Sequence, residues 1–352
     1  MTEDQALTRD QRTIVRNEFL AENIVIVDGF PGCGKTLFGP IISALDRVEI
    51  LNYAFEMEFI CRLFKLNKIT EDAAISMVRM LTDHKLYQTM MGRETNFRYS
   101  DLSSVFNDPH PWRYFKRIFQ AGDMVIPDRI IKERPILSLT THDLLAYAEP
   151  VFKGLDERLT FIEIVRHPLY MIIQETLNME RLFSDANPRD IQIYFEFSGK
   201  EVPHFCLGWE ELFIKSNNVE KAIYTIDRCT QANNPARNHY SKHYESNLIT
   251  IPFEKFVIDP HPYVKDIANA LGTKITNTTA KVLKQQNVPR KKISDGIPLE
   301  IYKRCGWEPP TKELSEEGEL SKRRDWAIKM KASDEAIKLL DKLSSDYEKD
   351  FL

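Results

Sequence analysis

The apolar positions of this chain fall into short, nearly continuous runs separated by longer stretches of mixed character. Asn23-Ile-Val-Ile-Val-Asp28 is the clearest: an unbroken apolar core that ends in a glycine-rich turn. A strand without polar alternation has both faces covered, as in a parallel sheet. Val48 to Asn52 and Met124-Val-Ile-Pro127 predict further strands, the second at an end or edge because proline donates nothing to a ladder. Leu159-Thr-Phe-Ile-Glu-Ile-Val165 and Leu248-Ile-Thr-Ile-Pro252 are rich in β-branched residues and stop at Arg-His-Pro and Pro-Phe-Glu. Strands spaced by helical stretches predict an α/β fold with a doubly wound parallel sheet flanked by helices.

Between Tyr53 and Gly122 the spacing turns helical, with Thr70 a candidate N-cap before Glu71 and Asp72. This predicts a helical insertion over 53–122. Its Phe97, Arg98, Tyr99, Trp112, Tyr114 and Phe115 either line an acceptor pocket or pack helix on helix. Further on, Asp259 as N-cap, Pro260 as first helical residue and Gly272 as stop define another helix. Glu308 to Lys322 is polar, with two prolines and a glycine, and predicts a solvated loop. An amphipathic helix carrying Ala336, Leu339, Leu340, Leu343 and Tyr347 follows. The expected organisation is one P-loop domain over 1–352 with a C-terminal helical extension at 320–352.

Composition narrows the function classes. At 43% hydrophobic and 28% charged residues, the 352-residue chain can bury a large core and is far from the disordered corner. A net charge of -4 gives no global reason to bind nucleic acid, so any anion site is local, Arg290-Lys291-Lys292 being one candidate. The five cysteines are odd in number and scattered, without a CxxC pair or histidines at ligand spacing, which predicts reduced thiols and no metal. The first twenty residues are too charged for a signal peptide, and no apolar run approaches the roughly 18 residues of a membrane span. A cytoplasmic location without a membrane span is expected.

Gly29-Phe-Pro-Gly-Cys-Gly34-Lys35-Thr36 matches GxxxxGK[ST] in full, after a strand and before the helical Leu37 to Leu45. Glycines let successive N–H groups curl toward one anion, the helix N-terminus adds partial positive charge and Lys35 a full one. The nucleotide cradle is expected over Pro31, Gly32, Cys33, Gly34, Lys35, Thr36 and Leu37. Pro40, early in the following helix, predicts a bend or a late start. A phosphate loop does not by itself say which group is transferred.

Three segments bear on that choice. Phe161-Ile-Glu-Ile-Val-Arg166-His-Pro168 is a strand delivering an arginine into a proline turn. Thr140-Thr-His142-Asp precedes it, and Ile251-Pro-Phe-Glu-Lys-Phe-Val-Ile-Asp259-Pro260 runs into the helix ending Asn269-Ala-Leu-Gly272. With the loop, they resemble, in order, the segments of the sulfotransferases that use 3′-phosphoadenosine 5′-phosphosulfate (PAPS), over residues 23–272. The resemblance implies PAPS as donor, a hydroxyl or amine acceptor on a small molecule or saccharide, and no metal. It places the 3′-phosphate on Arg166, with Gln174 where the family has a serine and Arg290 and Lys291 as candidates for the late basic clamp. It also implies that Lys35 neutralises the leaving phosphate oxygen and that His142 takes the acceptor proton. Taken alone, His142 reads as a surface or capping histidine; the order of segments gives it a catalytic reading. Two other classes stay open: an ATP-dependent kinase or NTPase, with Thr36 on Mg²⁺ and Asp128 at a strand end, and a catalytically silent nucleotide-binding protein.

Overall fold

In the computed structural model the described residues are 12–181, 191–244, 247–309 and 314–352. Seven strands run in the order β1 (Asn23–Asp28), β2 (Asn52–Tyr53), β3 (Ile136–Thr140), β4 (Leu159–Val165), β5 (Tyr194–Phe197), β6 (Lys200–Pro203) and β7 (Leu248–Pro252). Five form a central sheet, all parallel, in the order β2-β3-β1-β4-β7, while β5 and β6 make a separate antiparallel hairpin. The fold is α/β, a parallel sheet flanked by helices. β1 lies at its centre because both of its faces are apolar. Val25 and Val27 point into one core with Ile162, Ile164 and Ile251, and Ile24 and Ile26 into a second with Leu137, Leu139 and Phe161. Each such side chain removed from water contributes roughly 1.5–3 kcal/mol.

Helix α1 (Lys35–Ser43) leaves the loop after β1, and α2 (Phe55–Lys65) and α3 (Glu71–Met91) follow β2. The chain then forms α4 (Pro111–Arg117) and α5 (Ile126–Glu133) before β3, and α6 (Glu149–Leu155) before β4. After β4 come α7 (Pro168–Arg181), and beyond the hairpin α8 (Glu210–Lys215) and the long α9 (Asn218–His243). After β7 run α10 (Phe253–Ile258), α11 (His261–Ala270), α12 (Asn277–Gln285), α13 (Glu300–Arg304), α14 (Glu316–Lys329) and α15 (Asp334–Phe351). Helices α2, α3 and α6 cover one face of the sheet, and α1, α10, α11 and α15 the other.

Several expectations change. Met124 to Pro127 is helical, not a strand: Asp123–Val125 is a 3-10 turn leading into α5, whose Pro127 sits in the first turn, where its missing N–H costs nothing. Asp128 is therefore on a helix and not at a strand end. The pattern of Val48 to Asn52 contracts to an isolated bridge from Val48 to Ile136 and the two-residue β2. Helix α1 starts on time at Lys35 and runs through Pro40, ending three residues later. The loop expected up to Lys322 gives way to helix from Glu316, where Ser315 accepts from the Gly318 N–H as an N-cap. Helix α11 begins one residue later than expected, with Pro260 as its cap.

Candidate functional site

The strand order switches sides at β1: the chain crosses to the edge strand β2 and returns inward to β3 on one side, then moves outward through β4 and β7 on the other. Parallel sheets bind ligands at the carboxyl end of such a switch point. A cleft of about 600 Å³ lies there. Its walls come from the residues at and just beyond the strand ends: the loop after β1, Tyr53 ending β2 and Phe55 after it, His142 after β3, Arg166 after β4 and Phe253 after β7.

The loop is built on its glycines. Gly34 has φ of 103°, in the left-handed region, and a Cβ on it would overlap the Phe253 ring. Phe253 thus packs on the loop itself. Lys35 Nζ donates to the Gly29 carbonyl, a short contact, and at 3.4 Å to that of Phe30. Asp28, at the end of β1, is fully buried; burial pushes its carboxyl up to about 6, against the pull of Lys35. It accepts from Thr141 Oγ1 at 2.7 Å and from the N–H groups of Leu144 and Leu145. Asp28 thereby pins the turn that carries His142.

Pro31, Gly32, Gly34, Lys35, Thr36 and Leu37 line the cleft, as do His142, Arg166, Gln174 and Arg290. Two expected residues do not. Cys33 turns inward and is buried, where burial raises its thiol pKa. Lys291 is exposed outside the cleft lining, because the chain after the Arg290 turn points its next side chain at solvent. Asp128 also lies outside it, and so do Phe97, Arg98, Tyr99, Trp112, Tyr114 and Phe115. Tyr114 is buried, and Phe97, Tyr99, Trp112 and Phe115 belong to an aromatic cluster with Phe106.

Beside the loop three guanidinium groups gather on two aromatic rings. Arg166 lies 4.2 Å from the Phe253 centroid and Arg290 5.6 Å from the same ring, while Arg166 and Arg323 lie 5.1 and 4.7 Å from that of Tyr170. Arg166 also donates to the Gly32 carbonyl at 2.8 Å. The Nε atoms of Arg166 and Arg323 are buried without a hydrogen-bond partner. Burial, and then the charge of Arg166, lowers Arg323 and brings Arg290 down to about 10. Three cations this close repel one another, and donors left unpaired in a low-dielectric site ask for an acceptor. Arg323, on α14, was not singled out by the sequence, where Arg323-Arg324 reads as an ordinary charged pair on a solvated helix.

The cleft is also lined by His142, Glu58 and Arg62, and by Asp143, Glu175, Asn178 and Cys229. Glu58 Oε1 accepts from both the backbone N–H and Nδ1 of His142, at 2.9 and 3.0 Å. Burial, with Lys35 and Arg62 nearby, lowers the His142 pKa although Glu58 opposes it. Glu175 accepts from Asn178 at 3.0 Å, and burial pushes its carboxyl up to about 7. Glu58, Arg62, Glu175 and Asn178 carried no sequence signal, since each is a single polar residue in a helix; Asp143 follows His142 in the turn after β3. Among the described residues no group of His, Cys, Asp and Glu side chains is arranged to hold a metal ion.

Comparison with known proteins leaves the chain without a matching family model and without a match among curated proteins. Among solved structures it is similar to the sulfotransferase domain of a Synechococcus olefin synthase, at 12% identity over 92% of this chain and 99% of that one, with a TM-score of 0.37. It is also similar to a sulfotransferase from Mycobacterium tuberculosis, at 11% identity over 81% of this chain and 76% of that one, with a TM-score of 0.35.

Proposed function

We propose that the chain is a sulfotransferase whose donor nucleotide carries phosphate on both its 5′ and 3′ positions, PAPS in the active form and PAP after transfer. The observation that carries the reading is the pair of adjoining anion sites: the N–H-lined loop at Gly29 to Thr36, and the Arg166, Arg290 and Arg323 cluster joined to it through Phe253. A nucleoside triphosphate strings its phosphates along one loop and leaves the second site unused; a 3′,5′-bisphosphate fills both. The unpaired Nε atoms of Arg166 and Arg323 fit a phosphomonoester, since a guanidinium satisfies its fork best on a planar or tetrahedral oxyanion. Gln174, packed against Gly32, offers a further amide donor.

The donor supplies an activated sulfuryl group. The chain's part is positioning and charge: the loop N–H groups and Thr36 hold the 5′-phosphate, and Lys35 exchanges its carbonyl contacts for the oxygen that gains charge. His142, held near Lys35 with a lowered pKa, is neutral at pH 7 and accepts the acceptor's proton. The acceptor, a hydroxyl or amine compound, would meet His142 from the side of Asp143 and Glu175.

Calorimetric titration tests the reading. PAP should bind without added metal and more tightly than AMP or ADP. Arg166→Ala and Arg323→Ala should each weaken PAP by roughly 10-fold or more, the loss of a charge-assisted pair of about 1.5–3 kcal/mol, while leaving AMP affinity nearly unchanged. Equal losses for PAP and AMP, or binding of magnesium-ATP alone, would remove the basis for a 3′-phosphate site.

A further inference from the structure

We infer that Glu58 is the positioning residue of the site: it fixes the tautomer and ring orientation of His142, so that Nε2 faces the acceptor as the proton-accepting atom. The inference rests on the reading of His142 as the base and adds the group that makes it one.

Glu58 is the fourth residue of α2, buried beside the end of β3. Its Oε1 takes two hydrogen bonds from the same residue, His142 N and His142 Nδ1, at 2.9 and 3.0 Å. A carboxylate only accepts, so Nδ1 must carry its proton and Nε2 keeps a lone pair. One helical turn on, Arg62 holds Glu58 Oε2 at 3.1 Å and donates to the His142 carbonyl at 3.0 Å. Glu58 and Arg62 thus grip His142 at its amide, its carbonyl and its ring. The remaining freedom, rotation of the ring about its bond, is limited by Phe55 and Tyr53, whose planes lie within 9° and 2° of the imidazole at 5.6 and 6.2 Å. The side chain stays 32% exposed, toward the cleft, and no described residue donates to Nε2.

The charges facing the ring are Glu58, Arg62 and Lys35. The two cations and burial disfavour the imidazolium; Glu58 alone supports it. When the acceptor oxygen forms its bond to sulfur, its proton moves to Nε2, and the bond from sulfur to the donor's phosphate oxygen breaks with its electron pair on that oxygen. The imidazolium made in that step carries a proton on each nitrogen, with Glu58 ionised across Nδ1. A simple structural ion pair tying α2 to the turn after β3 would need Glu58 and Arg62 but would be indifferent to the tautomer.

Nitrogen NMR of the full chain, labelled at histidine and saturated with PAP, reads the tautomer directly, with the His142 signals assigned against His142→Ala. Expected in the wild type are a protonated Nδ1 and an unprotonated Nε2 above the titration midpoint. Glu58→Gln, which keeps the shape and removes the charge, should lower the midpoint and mix the tautomers. It should reduce kcat by roughly 10²-fold, within the span for a mis-set base, with PAP affinity and acceptor KM within about twofold. A wild-type Nε2–H tautomer, or a His142 titration unmoved in Glu58→Gln, would overturn the inference without needing any assay of turnover. Loss of turnover in His142→Ala beside an unmoved titration in Glu58→Gln would sink the role of Glu58 alone, whereas full turnover in His142→Ala would sink the reading beneath it.

Discussion

Gly34 is bound by two separate constraints, a left-handed backbone and the ring of Phe253 where a β-carbon would stand. Either one makes Gly34→Ala costly, and the displaced Phe253 would carry Arg166 and Arg290 with it. The substitution should cost roughly 1–3 kcal/mol of stability from backbone strain, and more than this in PAP binding, measured by chemical denaturation and calorimetry on the same preparation. At His142 the depressed pKa has a kinetic consequence. As the proposed base, His142 must be unprotonated, so the acidic limb of a kcat profile should lie below the usual histidine value of about 6.5. In Glu58→Gln, where the only supporting charge is gone, that limb should move further toward acid. A limb above pH 7 would contradict the environment described for this ring.

Among the elements, α4 is tied to the sheet edge by Arg113 on the Val48 carbonyl, by Tyr114 accepting the Ile50 N–H, and by one fully buried ion pair. Arg117 makes two hydrogen bonds to Glu49, at 2.6 and 2.8 Å, and the pair lowers the Glu49 carboxyl in spite of its burial. Arg117→Met leaves that carboxylate buried with the longer contact to Arg113 and the hydroxyl of Tyr114, and should cost roughly 3 kcal/mol by urea denaturation. Glu49→Leu combined with Arg117→Met should recover most of the loss, because two apolar side chains replace two desolvated charges. The same scale explains what could be read from the chain. The strands β1, β4 and β7 and the loop were legible because local composition decides them: β-branched runs with both faces covered, and a turn that only glycine can make. β3, Ile136 to Thr140, escaped although it is an apolar run after a proline; the serine at its centre broke the pattern, and that serine is buried between neighbouring strands. Met124 to Pro127 failed the other way, since four residues carry no period and tertiary packing of Ile126 and Ile130 chose the helix. The partners Glu58, Arg62 and Arg323 were illegible because proximity in space, not spacing in sequence, brings them to the cleft.

For the whole molecule, two sets of buried groups give opposite pH dependences. Glu175, Asp28 and Asp108, raised by burial to about 7, 6 and 7, bind protons more readily folded than unfolded, so their contribution to stability falls as pH rises from about 4 toward 7. His204, lowered by burial to about 3, works the other way: below pH 6.5 the unfolded chain takes up a proton that the folded one refuses, and stability falls with pH. In the wild-type curve the two sets oppose each other, and single replacements expose each arm. Glu175→Gln should gain on the wild type between about pH 4.5 and 7, by at most about 3 kcal/mol, and the difference should level off above that window. A difference that did not change with pH would mean that Glu175 is solvated in the native state.

The C-terminal helices bear on the site from its far side. Besides Arg323, Glu316 accepts from Tyr170 and from the N–H of Ile293, and Tyr347 donates to Glu254, which in turn receives the His167 N–H at the start of α7. Residues that meet at one cleft are therefore separated by most of the chain, from Phe30 to Arg323. Synthesis on the ribosome delivers the loop early and the third arginine late, so the cleft is complete only once α14 has been made and has packed. On the proposed reading the nucleotide and the C-terminal helices stabilise each other, and exchange of the amides in α14 and α15 should slow when PAP is added.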